Sequence, residues 1–301
     1  MGTARAFAPS HITGIFQICE HSDPLRIGSR GAGVCLTRGV STRVIAKRAV
    51  KWKPQVKIDG RRIPAGVSHE VVKLYADQAP HPCELLVEHK MEMPVGCGFG
   101  LSGASALSLS LALNEALSIG LSMMECAQMA HVAEINRKTG LGTVLAETFG
   151  GFEVRTKPGA PGIGSVMKVP AKPGCKVFSA HVGPLSTKRI LRRPGISRLA
   201  YSSKFLIDGL AAKPSVEEIM RCSRIFSDSV NLYTQRLRRL KTALEARGVD
   251  SVTMNMFGEA LFGVGDDGEV ENFRRVCEEL NLSEAQVIVS EVDDVGARIV
   301  D

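Results

Sequence analysis

PVGCGFGLSGASALSLSLALNEAL, Pro94–Leu117, is the stretch on which the reading of this chain turns. Glycines at 96, 98, 100 and 103 allow positive φ and let the backbone come close to a ligand. Leu101, Ser102 and Ser105 then lead into a long apolar helix. Successive N–H groups at a helix start, with the macrodipole behind them, form a pocket the size of a phosphate. As Gly98-x-Gly100-x-x-Gly103 the loop matches a dinucleotide fingerprint. That motif should open a βαβ unit with an acidic residue about 20 positions on. Here that position falls at a turn and a new helix near Ser122–Glu125, and several strands come before the loop. A Walker A loop requires Gly-Lys-Ser/Thr, and no lysine stands at the helix start. A glycine-rich packing turn without a ligand stays open on the loop alone.

Upstream, TARAFA, GAGVCLTRGV, STRVIAKRAV and CELLVEHKMEM carry β-branched or alternating residues and read as strands. Asp59-Gly60 is a hairpin signal, and SHEVVKLYADQA reads as a helix capped by Ser68. Downstream, Ser122 and Glu125 form a capping box for a helix running to Lys138. Beyond Gly150-Gly151, FEVRTK and SVMKVP read as strands. The Pro/Gly/Lys-rich stretch around Ala171–Gly174 divides the chain into expected domains 1–172 and 173–301. In the second, a strand (KVFSAHVG), helices to Arg247, strand material (SVTMNMFGEALFGVG), a helix over Glu269–Leu280 and two closing strands, AQVIVSEV and ARIV, predict an α+β arrangement.

Composition narrows the function classes. The 301 residues are 44% hydrophobic and 23% charged, an ordinary globular balance that excludes a disordered chain. Aromatics are 5%, with one Trp, which leaves little surface for stacking single-stranded nucleic acid. Lys+Arg exceed Asp+Glu by 38 to 31, a net +7 that suits anionic partners. The densest basic clusters are Lys188–Arg193 and Arg236–Lys241, the second on the wet face of an amphipathic helix with Leu237, Leu240 and Leu244. Eight dispersed cysteines lack zinc spacing and read as free thiols in a reducing compartment. The N-terminus has no long apolar core, and the run Leu101–Leu121 is broken by Asn114 and Glu115. The expectation is a cytoplasmic protein without a membrane partner. Monomer and homodimer are both compatible with the sequence.

Three segments in chain order then carry a family resemblance. Pro-x-Gly-x-Gly-Phe-Gly-x-Ser from Pro94 resembles the phosphate loop of the GHMP kinases, the family of galactokinase and of the homoserine, mevalonate and phosphomevalonate kinases. AFAPSHITGIF, with Ala8-Pro9, resembles the family's N-terminal motif. His131-x-x-Glu134, followed by Gly140 to Gly151, resembles the stretch bearing its metal-binding glutamate. The C-terminal glycine-rich motif survives in degraded form as Asn255–Ala260.

The resemblance implies an α+β, GHMP kinase-like two-domain fold. The N-terminal domain would be like domain 2 of ribosomal protein S5, and the C-terminal domain ferredoxin-like. It implies a small-molecule kinase using ATP and Mg²⁺. Pro94, Gly96, Gly98, Phe99, Gly100, Leu101, Ser102, Gly103, Ala104 and Ser105 would hold the nucleotide. Ser102 and Glu134 would be the catalytic pair that holds the metal. DPLRIGSRGAG (Asp23–Gly33) and GGFEVRTKPGAPG (Gly150–Gly162) point within the family to a small hydroxy acid. Its carboxylate and two hydroxyls need a guanidinium and hydroxyl donors, for which Ser29, Arg30, Arg155 and Thr187 are the candidates. An S5-like fold and a net positive charge would also fit nucleic acid, but the loop spacing argues against that partner. Many members place an Asp shortly after the Glu as a base. In GLGTVLAE that position is Thr143, and Glu147 lies four residues on, on the same helix face. His131 reads equally well as a core histidine.

Overall fold

In a computed structural model, which describes residues 2–185, 196–230 and 232–301, the short strands expected before residue 50 merge into two long ones. Strand β1 covers Gly2–Cys19 and β2 covers Gly28–Arg48, paired antiparallel from Gly2 opposite Ala46 to Cys19 opposite Gly28. The pairing runs on because burial runs on: Ala6, Ala8 and Ile12 of β1 and Val34, Val40 and Val44 of β2 are all buried. Its register shifts only between Pro9 and Ser10 and between Thr13 and Ile15. Such bulges bend a strand and re-aim its side chains.

Strand β3 (Lys53–Ile58), helix α1 (Gly66–Ala76) and strand β4 (Cys83–Met91) form a crossover, with β3 parallel to β4. Asp59-Gly60 does turn the chain, and Ile58 bridges Arg61, but no return strand follows. Pro64, which has no N–H to donate, comes three residues later. Ser68 is not the cap of α1. It lies inside the helix, buried, with its hydroxyl 3.0 Å from His89 Nε2 on β4.

Helix α2 covers Leu101–Leu117 and is buried on nearly all sides. Its serines survive there because each hydroxyl finds an acceptor. Ser105 and Ser108 donate to the carbonyls of Leu101 and Ala104 one turn back, and Ser110 donates to Cys126 O at 2.6 Å. Helix α3 (Met123–Arg137) opens with the expected Ser122/Glu125 capping box. A short helix α4 (Thr143–Phe149) and strands β5 (Phe152–Lys157) and β6 (Ser165–Val169) follow, with β5 added to β2 and β6 to β5.

The second sheet contains β7 (Lys176–Gly183), β8 (Thr253–Asn255), β9 (Glu259–Gly265) and β10 (Val287–Glu291), in the order β10-β7-β9-β8. Helices α5 (Ile196–Ala212), α6 (Val216–Val230) and α7 (Gln235–Glu245) connect β7 to β8, and α8 (Asp267–Glu279) connects β9 to β10. This is the ferredoxin-like arrangement expected. The tail differs: AQVIVSEV supplies β10, but ARIV leaves the second sheet, and β11 (Arg298–Val300) pairs with β1. Asp293 redirects the chain by accepting the amides of Val295 and Gly296 and pairing with Arg298. One apolar cluster runs through both sheets. All eight cysteines are free, and among the described residues no helix is long and apolar enough to cross a membrane.

Candidate active site

The loop Pro94–Gly100 crosses the junction of the two sheets and is tied from three sides. Phe99 O accepts His11 N of β1 at 3.0 Å, Gly96 O accepts Leu185 N at 2.8 Å, and Cys97 O accepts Asn255 Nδ2 at 3.2 Å. The degraded motif Asn255–Ala260 therefore has a place: its turn lies under the glycine loop. Gly100, in the left-handed region, ends the loop, and no side chain caps the first turn of α2. The first amides of a helix have no partner inside it, so a ligand can take them.

Gly98 owes its identity to this contact. Its φ is +86°, and a Cβ there would lie 2.8 Å from both Gly258 N and Met256 O. The strain comes from the second sheet's turn rather than from crowded phosphates. Gly98→Val should lift the loop and weaken ATP binding about 10-fold or more, since the backbone penalty alone is roughly 1–2 kcal/mol. Titration calorimetry with a circular-dichroism control tests this, and undiminished binding by a folded variant would refute it.

A pocket opens beside the first turn of α2, lined by Thr13, Ser29, Ser102, Thr139, Thr143 and Arg155, with Phe16 and Phe257 closing one side. The two rings sit 4.7 Å apart between centroids. Glu134 of α3 reaches its edge. The carboxyl is 2% exposed and accepts from Ser102 Oγ at 3.2 Å and Thr139 Oγ1 at 2.5 Å. A Cβ on Gly140 would lie 1.9 Å from its Oε2, so only bare backbone fits against it. Burial pushes the carboxyl up to about 7, while the two hydroxyls pull it down. No Lys or Arg among the described residues pairs with it. One buried carboxylate with two hydroxyls is a hard, all-oxygen set that suits Mg²⁺, which takes few protein ligands. Among the described residues no cluster of three or more His, Cys, Asp or Glu could hold a metal instead.

Across the pocket, Arg155 on β5 is 1% exposed. Its Nη1 donates to Glu153 Oε1, whereas its buried Nε has no partner. A Cβ on Gly142 would lie 2.2 Å from Ser29 Oγ and 3.1 Å from Arg155 Nε, so both polar groups converge on bare backbone at the pocket wall. Arg30 lies elsewhere. Its guanidinium donates to Thr156 O, Gln17 Oε1 and Asp208 Oδ1, tying β2 to α5, and it is off the pocket wall. Thr187 and Lys188–Arg193 lie outside the described residues. His131 is a core histidine bonded to Ile27 O at 3.0 Å, and burial lowers its basicity.

Thr143 stands on the pocket wall, but Glu147 does not. Fully buried on α4, it lies behind the loop, where a Cβ on Gly100 or Gly103 would come within 2.7 Å of its oxygens. Neither oxygen has a hydrogen-bond partner. Burial, and secondarily the charge of Glu134, pushes the acid well above the usual carboxylate range. Such a group keeps its proton in the folded chain and loses it above about pH 4.5 when unfolded, so its contribution to stability falls as pH rises. Glu147→Gln should therefore leave kcat close to wild type, and its gain in Tm should grow between pH 5 and pH 8. Sequence reasoning missed His11, Thr13, Thr139 and Glu153. The signals were present in APSHITG and in the alternating Glu153 and Arg155 of one strand.

Comparisons with known proteins identify the family and the fold. The model of the GHMP kinases N terminal domain matches residues 67–151. The pantoate kinase of Thermococcus kodakarensis is 31% identical over 283 residues, covering 92% of this chain and 93% of that protein. That of Methanospirillum hungatei is 30% identical over 267 residues, covering 88% of each. A solved phosphotransferase related to the CoA biosynthesis pathway superposes with a TM-score of 0.89 at 28% identity, covering 99% of this chain and 98% of that one. A homoserine kinase from Cytophaga hutchinsonii, at 17% identity and TM-score 0.72, covers 100% of this chain and 98% of that one and shares the fold. The chain belongs to the GHMP kinases and, within them, to the pantoate kinase family. SHITGIFQI, DPLRIGSRGAG and GGFEVRTKPGAPG are the segments in which the sequence itself resembles the archaeal members.

Proposed function

We propose that the protein transfers the γ-phosphoryl group of ATP to the 4-hydroxyl of pantoate, giving 4-phosphopantoate on the archaeal route to coenzyme A. The observation that carries this reading is the partnerless Nε of Arg155, converging with Ser29 Oγ on a pocket that faces the uncapped first turn of α2. A guanidinium edge and a hydroxyl suit a small carboxylate, and free helix amides suit a phosphate.

Phosphoryl transfer needs positioning and charge neutralisation more than covalent chemistry. The Gly96–Ser105 backbone cradles the triphosphate, with Phe99 and Leu101 buried to stiffen it. Arg155 and Ser29 orient the substrate carboxylate, and Arg30 keeps β2, which carries Ser29, in place from outside the pocket. Ser102 and Glu134 would hold Mg²⁺, which when bound neutralises charge on the phosphates. The two aromatic rings of Phe16 and Phe257 exclude water from one side.

Measured ADP release from ATP with a panel of pantoate, homoserine and mevalonate tests the assignment. Turnover is expected with pantoate. Turnover only with homoserine or mevalonate would move the protein to another branch of the family, and no turnover with pantoate refutes the proposal.

A further inference from the structure

The mechanism leaves the hydrogen of the phosphate-accepting hydroxyl without a destination, because Thr143 cannot take a proton at neutral pH. A buried chain of polar groups ends on the same pocket. His11 and Thr13 are two apart on β1, so their side chains share a face just before the bulge at Thr13–Ile15. His11 Nε2 lies 2.9 Å from Glu153 Oε1, and its Nδ1 lies 3.2 Å from Thr13 Oγ1. His11 and Glu153 are fully buried. Gly33 on β2 makes room for the ring, since a Cβ there would come within 2.5 Å of His11 Nε2.

The direction of each hydrogen follows from chemistry. Glu153 Oε1 already accepts from Arg155 Nη1 in a charge-assisted pair, so toward His11 it acts as an acceptor as well. Both Arg155 Nη1, at 3.3 Å, and Glu153 Oε1, at 2.9 Å, lie against His11 Nε2; the shorter contact to an oxygen that accepts puts the hydrogen on Nε2, which donates to Glu153 and offers Arg155 no acceptor. Burial lowers the basicity of His11 more than Glu153 raises it, and Arg155 lowers it further, so the ring is neutral and Nδ1 is bare. Thr13 must then give its only hydroxyl hydrogen to Nδ1. Thr13 lines the pocket, where its hydroxyl oxygen can still accept but has no hydrogen left to donate.

We propose that Thr13 accepts the hydrogen of the substrate's attacking hydroxyl and passes its own proton to His11 Nδ1 during phosphoryl transfer, a role that rests on the kinase reading above. The hydroxyl oxygen bonds to the γ-phosphorus while the bond from that phosphorus to the ADP oxygen breaks. The hydroxyl proton moves to Thr13 Oγ1, the Thr13 proton moves to His11, and Glu153 balances the imidazolium. On product release the proton returns through Thr13 to a phosphate oxygen.

Steady-state kinetics with ATP, Mg²⁺ and pantoate on Thr13→Val, Thr13→Ser, His11→Gln and the Thr13→Val/His11→Gln double variant test this. Failure of the wild type to turn over would refute the kinase reading and is distinct from failure here. Thr13→Val should lower kcat about 10²–10⁴-fold, the span of general-base catalysis, with a pantoate KM near wild type. Thr13→Ser should recover most of that loss. The double variant should be no slower than the slower single variant, because groups acting as one unit are not additive. If Thr13→Val keeps its kcat, if its loss appears only in pantoate KM, or if the two losses multiply, the relay is wrong. Should His11→Gln not fold, the Val/Ser contrast at Thr13 decides alone.

Discussion

Glu134→Gln is expected to lower kcat by about 10²–10³, the usual cost of removing one well-placed electrostatic group. The substitution keeps the shape, with one of the Ser102 and Thr139 hydroxyls still donating to the amide oxygen and the other turning to accept from the amide nitrogen, while it deletes the charge that a divalent cation needs. Half-maximal rate should consequently require much more Mg²⁺. A base variant would instead lose rate with an unchanged Mg²⁺ response, so a metal titration of kcat separates the roles where the size of the loss cannot. The same variant carries a stability signature of opposite sign. Burial holds Glu134 near 7 in the metal-free chain, above its unfolded value, so the wild type loses stability as pH rises from about 4.5 through 7. Glu134→Gln should remove that loss and melt higher than wild type at pH 8 without Mg²⁺. A variant with normal Mg²⁺ response and normal rate would remove Glu134 from the metal site.

Arg155→Ala is the second large effect, and the structure changes its character. From sequence the expected result is a pantoate KM raised by one to a few factors of ten, because a charge-assisted pair is worth roughly 1.5–3 kcal/mol. The guanidinium is 1% exposed, however, and is the charge partner of Glu153. Deleting one member of a buried ion pair strands the other, which typically costs about 3–5 kcal/mol. A lower Tm should accompany the higher KM, and the ATP KM should barely move. Arg155→Ala/Glu153→Gln should regain part of the Tm by removing the stranded charge, while pantoate KM stays high. An ATP-specific defect would put Arg155 on the nucleotide side. Full recovery of pantoate KM in the double variant would reduce Arg155 to a structural role.

Much of the site is legible because its signals are local. Positive-φ glycines at 96, 98 and 100, the helix beginning at Leu101 and the Ser122/Glu125 capping box all depend on neighbours within a few residues. Resemblance to the family's motifs singles out Glu134 on α3 and Ser102 at the start of α2. The α+β class and the apolar α2 follow from periodicity and element order in the same way, while the ferredoxin-like second sheet is what the family resemblance implies.

Tertiary structure alone decided the rest, since the partners are distant in the chain. Three short runs, TARAFA, GAGVCLTRGV and STRVIAKRAV, gave no sign that they belong to two long strands, because pairing over Gly39–Ser41 is fixed by burial against other elements. Asp59-Gly60 specifies a turn but not a hairpin, and α1 is what makes β3 and β4 parallel. ARIV is strand-forming in either sheet, and the turn at Asp293 selects β1. Arg30 and Arg155 look alike as basic residues in resembling segments. One is taken by Asp208 of α5, and the other keeps a bare Nε beside Ser29. His11 and Glu153 are separated by 142 positions and meet only when β5 adds to β2. Local sequence sets which conformations are cheap. Which buried polar group finds which partner is set by strands that pair across the whole chain.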